Sequence, residues 1–496
     1  MATKLDLAGI QGLLARGYRG LRHARFTIFD IPGPAAGQAL LSWLLPQVTP
    51  AGRFTAASAL HVAFTASGLG RLGLPGGAVA GFSAEFAEGM TGPDRSRFLS
   101  DVGESSPGSW AWGGPQGPPV HGLVLLYAAT PQVLDRRQRE LAGRLGQAGA
   151  RHVAVLDTLE LGDDEPFGFH DGISQPVIDG LPRASRAGGG PAVPAGEFVL
   201  GYPNAYGQFT DRPLLPPSAD PGRLLPADPA GSGAADLGRN GSYLVLRQLE
   251  QDVGGFWHYA RQAARRPDGA ADAERAVALA AKMVGRWPSG APLVKTPDRD
   301  DPRLGGDNDF RYYHADPLGL ACPLGAHIRR MNPRDSLPPS PGTGASTAVS
   351  DLHRLLRRGR SYGPGGSDAA APANGDHALR MAQADLAPPR ETGLHFICLA
   401  ANLARQFEFV QHTWLNNATF HGLYDDTDPL AGSRDGRGAT FTEPAHPVRR
   451  RHRGLPQFVR TRGGAYFFLP GVSALRYLER LAAGAPATAF SSAMTR

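Results

Sequence analysis

His121-Gly122-Leu123-Val124-Leu125-Leu126-Tyr127-Ala128-Ala129 is a run of nine residues with no Asp, Glu, Lys or Arg. A short continuous apolar run of this kind reads as a strand covered on both faces. The pattern extends outward in both directions. Downstream, residues 131–148 carry Val133, Leu134, Leu141 and Leu145 at helical spacing, and residues 152–161 alternate as a closing strand. Upstream, residues 26–31 alternate as a strand, and residues 35–47 hold Leu40, Leu41, Trp43, Leu44 and Leu45 as a helix. Residues 60–65 follow as a second strand. Strand-helix-strand followed by strand-helix-strand is the ferredoxin-like split βαβ pattern. Extra helical material lies between the two halves of the pattern, around residues 80–90.

The second half of the chain repeats this order less cleanly. Residues 242–249 (SYLVLRQL) read as a strand, 250–265 and 271–286 as helices, 393–401 (GLHFICLAA) as a buried strand, 402–414 as a helix and 465–469 (AYFFL) as a last strand. The reading is α+β, with two ferredoxin-like modules whose antiparallel sheets pack face to face. One large α+β domain without internal symmetry is the alternative. Pro/Gly-rich stretches fall at 183–240, 333–350 and 363–378. The first is placed as the connection between an N-terminal module, 1–182, and a C-terminal module, 241–496. The other two lie near the candidate site and are expected to shape a pocket mouth.

The chain has 496 residues, 42% hydrophobic and 19% charged, which suits a soluble protein with a large core. Its net charge of +6 raises the question of nucleic acid. The distribution argues against it. The only lysines are Lys4, Lys282 and Lys295, the arginines are scattered among acids, and the nearest basic run, Arg449–Arg453, reads as a solvated loop. No apolar run approaches the roughly 18–20 residues of a membrane span. The start, Met1-Ala2-Thr3-Lys4, shows no leader, so the expectation is a cytoplasmic protein. These properties are compatible with a homo-oligomer. Two cysteines, Cys322 and Cys398, cannot build a disulfide framework, and no Cys-x-x-Cys-His occurs for covalent haem attachment. Both sit in apolar runs and read as buried, inert thiols.

Three segments carry residue types with chemistry. Gly168-Phe169-His170-Asp171-Gly172-Ile173-Ser174-Gln175-Pro176 sets one carboxylate among glycines that permit unusual backbone geometry. Cys322-Pro323-Leu324-Gly325-Ala326-His327 brings a histidine in behind small, apolar residues that leave room for a flat macrocycle. Neutral imidazole is a common axial ligand of haem iron. Arg329, Arg330 and Arg334 follow it, and arginines suit haem propionates. Leu356-Arg357-Arg358-Gly359-Arg360-Ser361-Tyr362-Gly363 supplies fixed positive charge. Breaking the O–O bond of peroxide heterolytically needs a proton moved from one oxygen to the other and positive charge where the bond breaks. An Asp and an Arg meet both needs. Each residue also has a plainer reading: a turn aspartate, a buried structural histidine, an exposed helix-end arginine. No His at zinc spacing and no His-Glu-x-x-His appears.

In that order along the chain, the three segments resemble those of the dye-decolourising peroxidases. Supporting stretches are LDLAGIQGLL at 5–14, GSYLVLRQLEQDV at 241–253, VGRWPSGAPL at 284–293 and ANLARQFEFVQHTW at 401–414. The resemblance implies a dimeric α+β barrel, non-covalent haem b, hydrogen peroxide as oxidant, and dyes, phenols or other aromatic donors as reductants. It implies His327 as axial ligand, Asp171 as distal acid/base and Arg357, rather than Arg358, as distal charge. Arg329, Arg334, Phe169 and Gly172 are the candidate cofactor contacts. A carboxylate partner for the proximal imidazole is left open among the positions considered, Asn402, Glu408 and Glu391. Trp257, Trp287, Trp414, Tyr243 and Tyr362 are either electron relays or packing. The alternatives are a haem carrier or sensor, a protein that removes iron from haem, and, should the resemblance mislead, a ferredoxin-like binding protein without metal.

Overall fold

A computed structural model describes residues 4–182, 192–364, 375–383, 391–434 and 438–484. The apolar run of the first half forms β3 (Gly122–Ala128), buried along its whole length between β1 (His23–Phe29) and β2 (Ser58–Phe64). With β4 (His152–Asp157) the order is β4-β1-β3-β2, all antiparallel. Helix α1 (Pro34–Leu44) joins β1 to β2, and α2 (Pro131–Gln147) joins β3 to β4. The start of α2 follows from its sequence: Pro131 opens the first turn and the Thr130 hydroxyl accepts the Val133 N–H.

The second half repeats this order. β5 (Ser242–Gln251), the short β6 (Leu356–Arg357) and β7 (Arg360–Tyr362), β8 (Gly393–Ala400) and β11 (Val459–Leu469) are arranged β11-β5-β8, with β6 and β7 both paired to β8. A hairpin of β9 (Ala439–Glu443) and β10 (Arg450–Leu455) stands apart from this sheet. The two four-strand orders join edge to edge where Phe468 pairs with Phe64. At the opposite edge the Leu159 N–H donates to the Ser361 carbonyl at 2.7 Å.

The period-two pattern places alternate side chains on opposite faces. One face of each half-sheet builds a single shared core. Phe26, Ile28, Leu123, Leu125 and Tyr127 meet Leu244, Leu246, Ile397, Leu399 and Phe467 there. The other face is covered by helices, through Leu40, Leu41 and Leu44 of α1, Leu141 and Leu145 of α2, and Leu475 and Leu478 of α6 (Val472–Ala482). A third core lies under α3 (Val253–Ala263) and α4 (Ala273–Val284), with Phe167, Phe169, Trp257 and Cys322. Both cysteines are free and buried.

Several elements differ from the sequence reading. The strand after α2 ends at Asp157, because the chain then turns toward β7. Four short helices fill residues 66–98, more than the one stretch expected. The helix expected at 402–414 is π-helical over Ala404–Glu408 and Val410–Leu415. The basic run Arg449–Arg453, read as a loop, lies largely on the exposed strand β10. Residues 183–191 of the expected connection and 365–374 of the third Pro/Gly stretch lie outside the described residues. The described remainder of 183–240 contributes Phe198, Val199 and Leu237 to the cores, each fully buried. Among the described residues no helix is long and apolar enough to cross a membrane.

Candidate active site

Asp171 sits on a tight loop whose two flanking glycines, Gly168 and Gly172, both adopt left-handed backbone, at φ +95° and +74°. A Cβ at Gly172 would stand 2.5 Å from Nη2 of Arg19 and would move that guanidinium aside. The loop is fastened by backbone bonds, the His170 N–H to the Pro288 carbonyl at 3.0 Å and the Asp171 N–H to the Asp163 carbonyl at 2.8 Å. These aim the Asp171 carboxylate into a cavity, where Oδ1 accepts from Arg357 Nη1 at 2.8 Å. Burial pushes the Asp171 carboxyl up. The Arg357 guanidinium, the Gly172 amide and the charge of His327 together outweigh it, and Asp171 titrates below the ordinary carboxylate range.

Arg357 reaches this point because it ends β6, opposite Cys398 of β8. Its backbone N–H donates to Oε1 of Gln175, at 3.1 Å, so the Asp171 segment and β6 are tied twice. The neighbouring Arg358 points elsewhere: its guanidinium donates to the carbonyls of Leu13 and Leu14. An arginine at a helix end is not what occupies 357, since the residue lies on a strand.

His327 opens the short helix α5 (His327–Met331). The C-terminus of α4 abuts this helix at Gly285, φ +101°, where a Cβ would fall 2.4 Å from Cγ1 of Ile328. Glycine is therefore needed for the approach. Nδ1 of His327 is bonded to Oδ2 of Asp428 at 2.9 Å. Asp428 is fully buried, and its other oxygen accepts the N–H groups of Leu430 and Ala431, each at 2.9 Å. Burial lowers the imidazole's affinity for a proton, and the Asp428 carboxylate more than restores it, so His327 titrates above its ordinary value. The partner carboxylate moves the other way: burial raises it, and His327 pulls it below its ordinary value.

The three arginines after His327 part company. Arg329 is buried against Asp316, donating to its carboxylate at 3.1 Å and to the Cys322 carbonyl at 2.7 Å, and it does not line the cavity. Arg330 is likewise spent on carbonyls, among them those of Trp414 and Asn417. Arg334 does line the cavity, with left-handed backbone at φ +56° and its guanidinium on Asn308 and Phe310.

Asp171, Arg357, His327, Phe169 and Arg334 thus come together from remote segments around one cavity. It holds about 1900 Å³ of empty space, its open mouth included. Ile328, Met331, Leu355, Leu394, Phe396 and Phe407 give it apolar walls. Gly172 lines an adjoining crevice that meets the cavity at Asp171 and Arg357. The aromatic residues weighed as relays, Trp257, Trp287, Trp414, Tyr243 and Tyr362, are all buried.

None of the positions weighed for the imidazole's carboxylate holds it. Asn402 caps its own turn, accepting the Arg405 N–H. Glu408 is taken by Arg95 and Tyr466, and Glu391 lies beside Tyr362 in another groove. Asp428 does so instead. Its signal in the sequence is faint: an Asp-Pro step in an acidic loop, whose side chain can bond its own following amides.

No family model matches the chain. A dye-decolorizing peroxidase of Exidia glandulosa is 31% identical over 95% of this chain and 87% of its own length. Dye-decolorizing peroxidase AauDyP1 of Auricularia auricula-judae is 32% identical over 96% and 87%. The multifunctional dye peroxidase DyP2 of an Amycolatopsis strain is 31% identical over 84% and 82%. In three dimensions the crystal structure of a fungal DyP-type peroxidase from Auricularia auricula-judae superposes with a TM-score of 0.74, at 30% identity, covering 97% of this chain and all of that one. Likeness of this extent in both sequence and fold places the chain in the dye-decolourising peroxidase family.

Proposed function

We propose that the cavity would hold non-covalent haem b, with His327 as the ligand of its iron, and that Asp171 and Arg357 would activate hydrogen peroxide there. The family makes the chain an oxidoreductase acting on peroxide. The observation that carries the residue roles is the convergence of Asp171, Arg357 and His327 on one apolar cavity from three distant segments. The donor set fits haem. His327 has Nδ1 committed to Asp428, and among the described residues no hydrogen bond holds Nε2. A carboxylate on the far nitrogen fixes the tautomer and raises ligand basicity. Arg334 supplies positive charge in the wall for propionates. We take 1–182 and 241–496 as the two modules, joined by 183–240, and dyes, phenols or similar aromatic molecules as donors.

Haem, when bound, supplies the redox iron between donor and peroxide. The protein's own residues do the rest. Asp171, ionised, accepts the peroxide proton and returns it to the departing oxygen, which leaves as water. Arg357 stabilises the negative charge that grows as the O–O bond breaks. The 2.8 Å contact keeps the two groups in register before peroxide arrives.

The test is an absorption spectrum of the purified protein followed by dye turnover with peroxide. A Soret band with turnover is the expected result. A Soret band without turnover supports the carrier reading, and release of free porphyrin supports iron removal. Asp428→Asn is expected to cost about 10–100-fold in haem affinity or peroxide rate, read by haem titration and stopped flow.

The pH dependence follows from Asp171. A carboxyl depressed in the folded protein stays ionised until pH falls through that depressed value. The rate of the peroxide reaction is therefore expected to hold from about pH 6 down to the ordinary aspartate value near 3.9, and to fall only below it. Dye oxidation is therefore expected to persist well into the acidic range. Loss of essentially the whole peroxide rate below about 6.5, with no plateau between there and the aspartate range, would transfer the base role to a histidine.

A further inference from the structure

Glu165 lies six residues before Asp171 and takes no part in the scheme above. It is half-buried and lines both the cavity and the crevice. Its carboxylate gathers three donors. Oε1 accepts the Phe169 N–H at 3.1 Å. Oε2 accepts the Phe167 N–H at 3.1 Å and Nε2 of Gln251, on β5, at 2.8 Å. Its own backbone closes the same turn, with its N–H on the Phe169 carbonyl and its carbonyl accepting the Gly168 N–H. A single side chain therefore ties the Asp171 loop to the central sheet.

We propose that Glu165 is a positioning residue for the peroxide reaction, an ionisable clamp that holds the Asp171 loop and tightens when it loses its proton. As an anion it satisfies all three N–H donors. As a neutral acid it carries an O–H, for which the available acceptor is Oε1 of Gln251, buried without a partner; reaching it turns that amide over and gives up the Nε2 bond, and the Phe167 and Phe169 N–H groups lose a charged acceptor. Burial pushes the Glu165 carboxyl up to about 7, with Asp171 adding to the rise and the three bonds opposing it. The clamp thus changes state near neutral pH. Among the described residues, Asp171 is the ionisable group whose charge acts on it. From β5 it meets the uncharged Gln251, while Arg357 of β6 is paired with Asp171, and Arg19 with Asp163. Ionised Glu165 both steadies the loop and makes Asp171 a stronger base. Both effects raise the peroxide rate as pH climbs through about 7.

Glu165→Gln keeps the shape, but in either orientation its amide sets an N–H against the N–H of Phe167 or Phe169. Two measurements test the clamp. Hydrogen exchange of the Phe167 and Phe169 amides, in protein with and without haem, is expected to quicken by about tenfold in E165Q. In the holoenzyme, wild type shows a step in log rate with peroxide near pH 7, and E165Q lacks it. Gln251→Met, which removes one donor to the anion and leaves the loop's amides in place, moves the step to higher pH. This variant carries the test should E165Q fail to fold. A step that persists in E165Q, or one that stays put in Q251M, overturns the inference, as do unchanged exchange rates. The inference rests on the role given to Asp171, so Asp171→Asn belongs in the same series. A wild-type rate in D171N removes that role, whereas a wild-type profile confined to E165Q removes only the clamp.

Discussion

His327→Ala is expected to abolish stable haem binding and, with it, peroxide turnover. The alanine removes the imidazole proposed to hold the iron, and the ring's other nitrogen is what Asp428 holds. The change has a second consequence that must be separated from the first. Asp428 is fully buried, and without the imidazole its Oδ2 loses the partner it has in Nδ1 of His327. Removing one member of a buried pair typically costs about 3–5 kcal/mol. The single variant could therefore lose haem by losing fold. His327→Ala combined with Asp428→Asn relieves the stranded charge, because the neutral amide can still accept the Leu430 and Ala431 N–H groups through its oxygen. The double variant is expected to regain stability in thermal unfolding and still to lack the Soret band. Retention of a full, unchanged Soret band in either variant would remove His327 from the axial position.

How legible this was depends on where the information sits. The run at 121–129 announces a doubly covered strand because its chemistry is local, and β3 lies where that run puts it. The same holds for Asp171: flanking glycines signal special backbone, and both are left-handed. Asp428 is a different case. Its partner is 101 positions away, and the bond depends on how α5 meets the loop before β9. Local pattern does not carry that relation. Arg329 shows the converse. Two positions from His327, it looked like a cofactor contact, but the turn of α5 carries its side chain toward Asp316. The strands β6 and β7 were hidden because two or three residues are too short to show a period, and four arginines in 354–360 mask any alternation. The residue choice at 357 still followed from motif spacing, not from secondary structure.

Arg357→Leu is expected to slow the reaction with peroxide by about 10²–10³-fold while haem stays bound, the loss typical of removing one charge aimed at a developing anion. Leucine fills part of the space beside Leu355 and Leu356 and introduces no new polar group. The loss should appear in the bimolecular rate with peroxide and leave the Soret band in place. A second effect gives the assignment its signature. Arg357 heads the influences that hold the Asp171 carboxyl down against burial. Without the guanidinium, burial goes largely unopposed and Asp171 binds its proton more tightly. The acid limb of the pH–rate profile should then move to higher pH in R357L. Arg357→Lys, a point charge in place of a fork, should recover part of the rate and hold the limb nearer its original position. Asp171→Asn should slow the reaction too, but with no carboxyl left at 171 its profile should lose the acid limb. A uniform loss in R357L with an unmoved limb would make Arg357 an electrostatic bystander to Asp171. Wild-type rates in both R357L and D171N would mean that peroxide is activated elsewhere in the cavity.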